Sequence, residues 1–201
     1  MLLLMLKEVR RLNKVDISDW QGFIISRLFV IESPAERSIK TYNSGDIPYV
    51  SSGKKNNGIV SYLEPKDDEE LEKGNCITVS PLDGSSFYQE DDFLGRGGAG
   101  SAISMLYNEK LSKYSALFIC TIIKNTSKKY DYNDALTGDN LANLIIKLPV
   151  LHNEDGSIFI DKDKKYSDYG YMPDWTLMES YMETIEAKAQ KRIDLLSIIG
   201  K

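Results

Sequence analysis

The apolar residues change their spacing several times along this chain. Met1-Leu2-Leu3-Leu4-Met5-Leu6 is a short continuous run followed by Lys7, Arg10 and Arg11, so residues 1–19 read as a helix or packing arm with a polar joint. Trp20 to Ile31 alternates imperfectly and is rich in aromatic and branched residues, which predicts one or two short elements. Short runs then predict strands at Ile47–Val50 and Gly58–Leu63, joined through Lys54-Lys55-Asn56-Asn57-Gly58, whose Asn-Gly step favours a hairpin turn. Further strands are predicted at Cys76–Ser80, Phe87–Gln89, Ala102–Leu106 and Ile145–Leu148, the last ended by Pro149. Leu111, Tyr114, Leu117, Phe118 and Ile122 fall near helical spacing and predict a helix over 108–124. Asp139–Leu144 reads as a short helical turn with Asp139 as its N-cap. Ser44-Gly45-Asp46 and Asp83-Gly84-Ser85-Ser86 are turn signals. Glu32–Ser44, Thr126–Gly138 and Asn153–Tyr171 read as loops, and the dense acidic run Glu64–Lys73 as a solvated excursion.

From Asp174 the period becomes helical. Trp175, Met178, Met182, Ile185, Ala189, Ile193 and Leu196 recur three or four apart, Pro173 precedes them, Asp174 can cap them and Gly200 ends them. The pattern predicts a helix of about seven turns at ~3.6 residues per turn. Its narrow apolar seam suits pairing with another helix better than packing on a sheet. The pattern thus gives short strands and helices followed by one long C-terminal helix. Three regions follow: an arm at 1–19, a globular domain at 20–172 and a dimerisation or spacer helix at 173–201. No internal repeat is visible.

Composition narrows the function. A chain of 201 residues suits one domain with an appendage. Cys76 and Cys120 both lie in apolar runs and read as buried free thiols of a cytoplasmic protein. The N-terminal apolar run is far shorter than the ~20 residues of a membrane span, and its charges follow rather than precede it, unlike a signal peptide. One histidine, His152, and no Cys-x-x-Cys leave no zinc pattern, so no metal is expected. The net charge of −5 argues against a generic nucleic-acid coat, but not against a reader with one local patch whose partner neutralises much of the phosphate charge.

Candidate catalytic patterns are incomplete. Gly95-Arg96-Gly97-Gly98-Ala99-Gly100-Ser101 lacks the Gly-Lys-Ser/Thr end of a phosphate loop, and a strand-like segment follows where a dinucleotide fingerprint needs a helix. Glycines also permit close approach to another surface, from which Arg96 can reach a phosphate or a guanine edge. Asp174 with Glu186-Ala187-Lys188 mimics a metal-dependent nuclease, but the two carboxylates stand roughly 18 Å apart by helical rise. Asp131-Tyr132-Asn133-Asp134 and Asp161-Lys162-Asp163 lack calcium-loop spacing. No methyltransferase motif and no Ser-His-Asp set is present. Polar donors instead gather in three loops: Lys54, Lys55, Asn56 and Asn57; then Ser85 and Ser86 with Arg96; then Asn125 to Asn133 with Lys128, Lys129, Tyr130 and Tyr132. Lysines can neutralise phosphates, whereas Asn, Gln and Arg can address base edges. If the loops converge they form a basic, aromatic patch on an acidic body; otherwise they are three ordinary surface loops.

The order of the pieces carries more than any one of them. It runs Trp20…Leu28-Phe29, Gly45-Asp46-Ile47-Pro48-Tyr49-Val50-Ser51, Gly58-Ile59, Gly74 with Ile77-Thr78-Val79, and Phe87-Tyr88-Gln89. Ala116-Leu117-Phe118-Ile119, Ile146-Lys147-Leu148-Pro149 and Pro173-Asp174-Trp175…Met178-Glu179-Ser180-Tyr181 follow. This series resembles the target recognition domain of restriction-modification specificity subunits, of type I systems and of BcgI-like type IIG relatives. The resemblance implies a fold, a mixed α+β globule with a mixed, mainly antiparallel twisted sheet followed by a long C-terminal helix, and a domain that reads one half of a split site in double-stranded DNA. It also implies a spacer helix that helps hold DNA methyltransferase subunits, which flip the target adenine and use S-adenosylmethionine. The recognition subunit itself would carry no chemistry and no cofactor, and a restriction subunit is a further conceivable partner. Full specificity subunits have two recognition domains and two spacer helices; one of each is found here. That departure implies either a fragment or a half subunit that dimerises through its C-terminal helix and reads a palindromic bipartite site. Two other readings compete: an antirestriction decoy that mimics such a subunit, and a small nuclease using Glu186 and Lys188.

Overall fold

The computed structural model describes residues 16–98, 100–129, 135–136 and 138–199. Most of the expected N-terminal arm, and Tyr130 and Tyr132 in the third loop, lie outside the described residues.

Trp20 to Ile31 resolves into three elements: β1 (Gln21–Ile24), a single helical turn α1 (Ile25–Leu28) and β2 (Val30–Glu32). β3 (Ser44–Val50) and β4 (Ile59–Leu63) form the expected antiparallel hairpin. Ser44-Gly45-Asp46 is not a turn. It opens β3 and carries a register shift between Ser44 and Ile47. Gly45 is needed there for closeness, since a Cβ would lie 2.4 Å from the Glu64 backbone nitrogen.

β5 (Cys76–Val79) has all four residues buried and is flanked by β6 (Ser86–Gln89) and β8 (Ser104–Tyr107). β2 completes this antiparallel sheet, ordered β2-β8-β5-β6. The two-residue β7 (Leu94–Gly95) runs parallel to β3 in a second sheet, β4-β3-β7. β9 (Ile145–Leu148) pairs antiparallel with β1. The expected mainly antiparallel character holds, but it is divided among three small sheets.

The long helix of the middle region, α2 (Lys113–Thr126), starts later than the apolar spacing alone suggests because Ser112 caps it. Ser112 Oγ accepts from the Ser115 N–H at 3.3 Å while Ser115 Oγ accepts from the Ser112 N–H at 2.9 Å. Ser112→Ala is expected to destabilise the fold by about 1 kcal/mol, read as a lower urea midpoint; an unchanged midpoint would show that the cap contributes nothing. In α3 (Gly138–Ala142) Asp139 sits in the first turn rather than at the cap.

The main core lies where α2 faces the strands. Phe23, Ile25, Ile77, Leu106, Ile119, Ile123, Leu141, Ile146 and Leu148 are all at most 1 % exposed there. A second cluster of Val50, Cys76, Phe93, Ile103 and Met105 joins the two larger sheets.

The excursion at 64–73 keeps an exposed outer face at Glu64, Lys66, Asp67, Asp68, Glu70 and Lys73, but it is anchored from within. Arg37 is buried against it: its Nε donates to Glu69 Oε1 at 2.6 Å, Nη1 to Glu72 and Nη2 to the Glu70 carbonyl at 2.9 Å. Tyr42 Oη also donates to Glu69 at 2.7 Å. The acidic run is thereby clamped to the 33–42 segment.

The last helix, α4 (Trp175–Ile199), is capped as expected, Asp174 Oδ1 accepting from the Leu177 N–H at 2.8 Å. It packs antiparallel to α2, with Tyr114 Oη donating to Glu186 and the Phe118 and Tyr181 rings edge-to-face at 5.9 Å. Because α2 begins at Lys113, opposite Glu186, the rest of α4 runs past its end. The apolar seam is divided accordingly. Met178 is fully buried, and Trp175 and Met182 pack on the same core. Ile185 is half-buried and Ala189 exposed, whereas Ile193 is 59 % and Leu196 69 % exposed. As a partner surface the seam is thus corrected: its first three residues belong to the body's own core.

The chain enters and leaves the body at one place. Gln21 pairs with Leu148, the Asp174 N–H donates to the Pro149 carbonyl at 2.9 Å, and His152 Nε2 lies 3.0 Å from Asp19 Oδ2.

Candidate nucleic-acid interface

The β3–β4 loop is the hub of the loop face. Lys54, Lys55, Asn56 and Asn57 are all exposed at its tip. Asn56 and Asn57 adopt left-handed backbone at φ 51° and 54°, a conformation asparagine tolerates better than most residues. The tip is nonetheless fixed. Asn57 Nδ2 donates to the Tyr88 carbonyl at 2.9 Å and to Gln89 Oε1 at 3.1 Å. Gln89 Nε2 donates back to the Asn57 carbonyl and to Thr78 Oγ1, both at 3.0 Å. Gln89 is buried, so this amide pair ties the tip to the central sheet. Asn56 Nδ2 donates to the Ile59 carbonyl at 3.1 Å.

The β5–β6 turn meets this loop through Lys54, whose Nζ lies 3.4 Å from Asp83 Oδ2. Burial would raise the Asp83 carboxyl, but the bonds from Ser85 and the charge of Lys54 outweigh that and hold it below the usual carboxylate range. Ser85 and Ser86 correct the expectation that they face outward. Both are buried; Ser85 Oγ donates to Asp83 Oδ2 and Ser86 Oγ to the Gly84 carbonyl, each at 2.9 Å. They build the turn rather than offer hydroxyls to a ligand.

The third loop joins the same end. A Cβ on Gly84 would sit 1.9 Å from Ser127 Oγ, and the Leu136 N–H donates to the Pro81 carbonyl at 2.8 Å. Lys128 is exposed beside this contact, and Lys129 closes the short 3-10 turn at Ser127–Lys129. The loops bearing Lys54, Lys55, Asn56, Asn57 and Lys128 therefore converge, at the C-terminal end of α2. The free part of α4 lies at the other end.

Arg96 occupies an adjoining wall. Its N–H donates to the Val50 carbonyl at 2.8 Å, and Ser52 Oγ donates to the Ser101 carbonyl at 2.8 Å, so the glycine loop lies against the root of the hub. The close approach expected of these glycines is internal. A Cβ on Gly97 would lie 2.1 Å from the Pro34 carbonyl oxygen, and one on Gly95 2.7 Å from the Pro34 ring. The surface they accommodate is the chain's own 34–36 segment.

Between that segment, the hairpin and the glycine loop lies an open cleft of about 660 Å³. Lys40, Lys66 and Arg96 line it, with Glu36 as its single lining carboxylate; Arg37, also on the wall, is already paired. Lys66 Nζ donates to Thr41 Oγ1 at 2.9 Å and sits 4.4 Å from the Tyr42 ring centroid. Burial and the Glu69 carboxylate push the Tyr42 hydroxyl up to about 12, so it remains a hydrogen-bond donor. Lys40 and Lys66 were not among the residues singled out from sequence. Nothing local marks them, because the wall is assembled from segments about two dozen residues apart.

Among the described residues no group of three metal-type side chains comes together. Burial pushes the Cys76 thiol up to about 12 and raises Cys120 as well, which disfavours thiolate nucleophiles. Glu186 is bonded by Tyr114 on the helix pair, away from the loop face. No described helix is long and apolar enough to cross a membrane.

Known proteins share the sequence pattern and the fold. A family model described as the type I restriction modification DNA specificity domain matches residues 17–191. The specificity subunit of the BcgI type II restriction enzyme from Heyndrickxia coagulans is 25% identical over 180 residues, covering 88% of this chain and 46% of that subunit. The chain thus spans about half the length of this curated relative. Among solved structures, the HsdS subunit from Thermoanaerobacter tengcongensis aligns with a TM-score of 0.53 at 12% identity, over 96% of this chain and 44% of that one. The type I system S subunit from M. genitalium aligns at 0.52 and 16% identity, over 98% and 47%. At these identities the likeness is one of fold.

Proposed function

Because this chain belongs to the family of type I restriction modification DNA specificity domains, we propose that it reads DNA sequence for a partner DNA adenine methyltransferase and performs no catalysis itself. The observation that carries this reading is the convergence of the lysine- and asparagine-bearing loops at one end of α2. Lys54, Lys55 and Lys128 are placed to neutralise phosphates, and Asn56 to meet a base edge. S-adenosylmethionine is bound by the methyltransferase, and a restriction subunit can join the same assembly.

The free length of α4 supports a second copy as partner. Two copies paired there would present two loop faces related by a two-fold axis, and so read a palindromic bipartite site.

Mapping methylated motifs in cells with and without the chain tests the reading. One bipartite adenine motif should lose its methylation when the chain is removed. In a gel shift the chain should confer sequence-selective binding on the methyltransferase. Suppression of that binding would identify the decoy, and an unchanged methylation map would overturn the reader.

A further inference from the structure

We propose that the cleft lined by Lys40, Lys66 and Arg96 is a clamp for the sugar-phosphate backbone of duplex DNA, which holds the strand while the hairpin tip reads bases. The inference rests on the DNA-reading function above and divides the labour within that site. Of the two contacts open to Arg96, a phosphate or a guanine edge, it assigns the phosphate.

Shape argues first. Base edges lie at the bottom of grooves and are reached by protruding elements, whereas phosphates form the ridges of the duplex. The exposed tip at Lys54–Asn57 protrudes. Arg96 does not: it is half-buried in a cleft wall, with Nη1 donating to Ser101 Oγ. A concave cationic wall receives a ridge.

Charge argues next. The chain as a whole carries −5, yet three cations here face one carboxylate. Ser38 and Ser51 line the same space, and their hydroxyls can bond phosphate oxygens. A pocket for a small organic ligand would be lined mainly by apolar and aromatic side chains; here those are Ile39, Val60, Tyr42 and Tyr49, and charged, hydroxyl and glycine residues make up the rest.

Position completes the case. The glycine loop bonds to Val50 and Ser52 at the foot of the β3–β4 loop. A strand crossing the cleft is thus led directly to the tip. The clamp is also preorganised: the ion pairs of Arg37 hold the 33–42 wall, and the glycines let the Arg96 wall close against Pro34.

The test measures binding of the full chain to a mixed-sequence 30-bp duplex across a salt series. Each phosphate contact contributes about 0.9 to the slope of log K against log salt. Lys40→Ala and Arg96→Ala should each reduce the slope by about that amount. Lys113→Ala, at the far end of α2, should leave it unchanged. Lys40 is exposed, so its variant keeps the wild-type melting temperature and a lost contact is not confused with misfolding. Wild-type slopes in the Lys40 and Arg96 variants, with a reduced slope in Lys54→Ala, would overturn the clamp and leave the DNA reader standing. Absence of duplex binding by the unaltered chain at low salt would overturn both.

Discussion

Arg37→Met is expected to lower the unfolding free energy by about 3 kcal/mol, the lower end of the cost of breaking a buried ion pair. The Arg37 side chain is 4% exposed while Glu69 and Glu72 keep 15% and 16%, so solvent partly relieves the orphaned carboxylates. The measurement is a urea titration. Changing Glu69 and Glu72 to glutamine in the same variant should recover part of the loss, because the cost comes mostly from uncompensated charge rather than from a missing attraction. The pH dependence has a definite sign. Burial would raise the Glu69 carboxyl, but bonds from Tyr42, Arg37 and the Lys66 N–H hold it below its ordinary value. A carboxyl lowered in the folded state contributes stability above its unfolded value, about 4.3, and loses it as pH falls through the folded value. The wild type should therefore lose stability on acidification below about pH 4.3, and Arg37→Met should lose less over the same range. Parallel acid limbs in the two proteins would show that Arg37 is not what stabilises the Glu69 carboxylate.

The second large effect separates the two halves of α4. Met178 has no exposed surface, so Met178→Glu places a charge in the core and is expected to cost more than about 4 kcal/mol. Far-ultraviolet circular dichroism should show a chain unfolded or nearly so. Ile193→Glu with Leu196→Glu changes side chains that are 59% and 69% exposed, and stability should stay within about 0.5 kcal/mol per site. The consequence there is assembly: sedimentation should show a dimer for the wild type and a monomer for the double variant. A double variant that still dimerises would sink the proposed helix pairing.

Local patterns were legible where local physics decides. The β3–β4 hairpin follows from Asn56-Asn57-Gly58 between branched runs, and α4 from a Pro-Asp start and a helical period. The strands at 76–79 and 145–148 follow from short apolar runs closed by turn residues. What the period cannot say is what covers an apolar face, which is why the seam of α4 reads as one surface when α2 covers only its first half. Arg37 finds its carboxylates 32 and 35 residues away, and no local signal ties a polar loop to an acidic run at that distance. Ser85 and Ser86 resemble surface donors in sequence because small polar residues serve equally as turn builders. Convergence of the loops was readable only as a condition, since it depends on three separate long-range contacts, Lys54 with Asp83, Asn57 with Gln89 and Gly84 with Ser127.

The adjacency of entry and exit has a consequence for how such a protein changes. Gln21 lies across from Leu148, and Asp174 is bonded to Pro149. The globule is thus a closed excursion from a single point on a helical stalk. Another globule with the same two attachment strands, but different tips, can occupy that point without re-routing the stalk. On the proposed dimeric reader, sequence preference would then be a replaceable cartridge, and the geometry between the two stalks would survive the exchange.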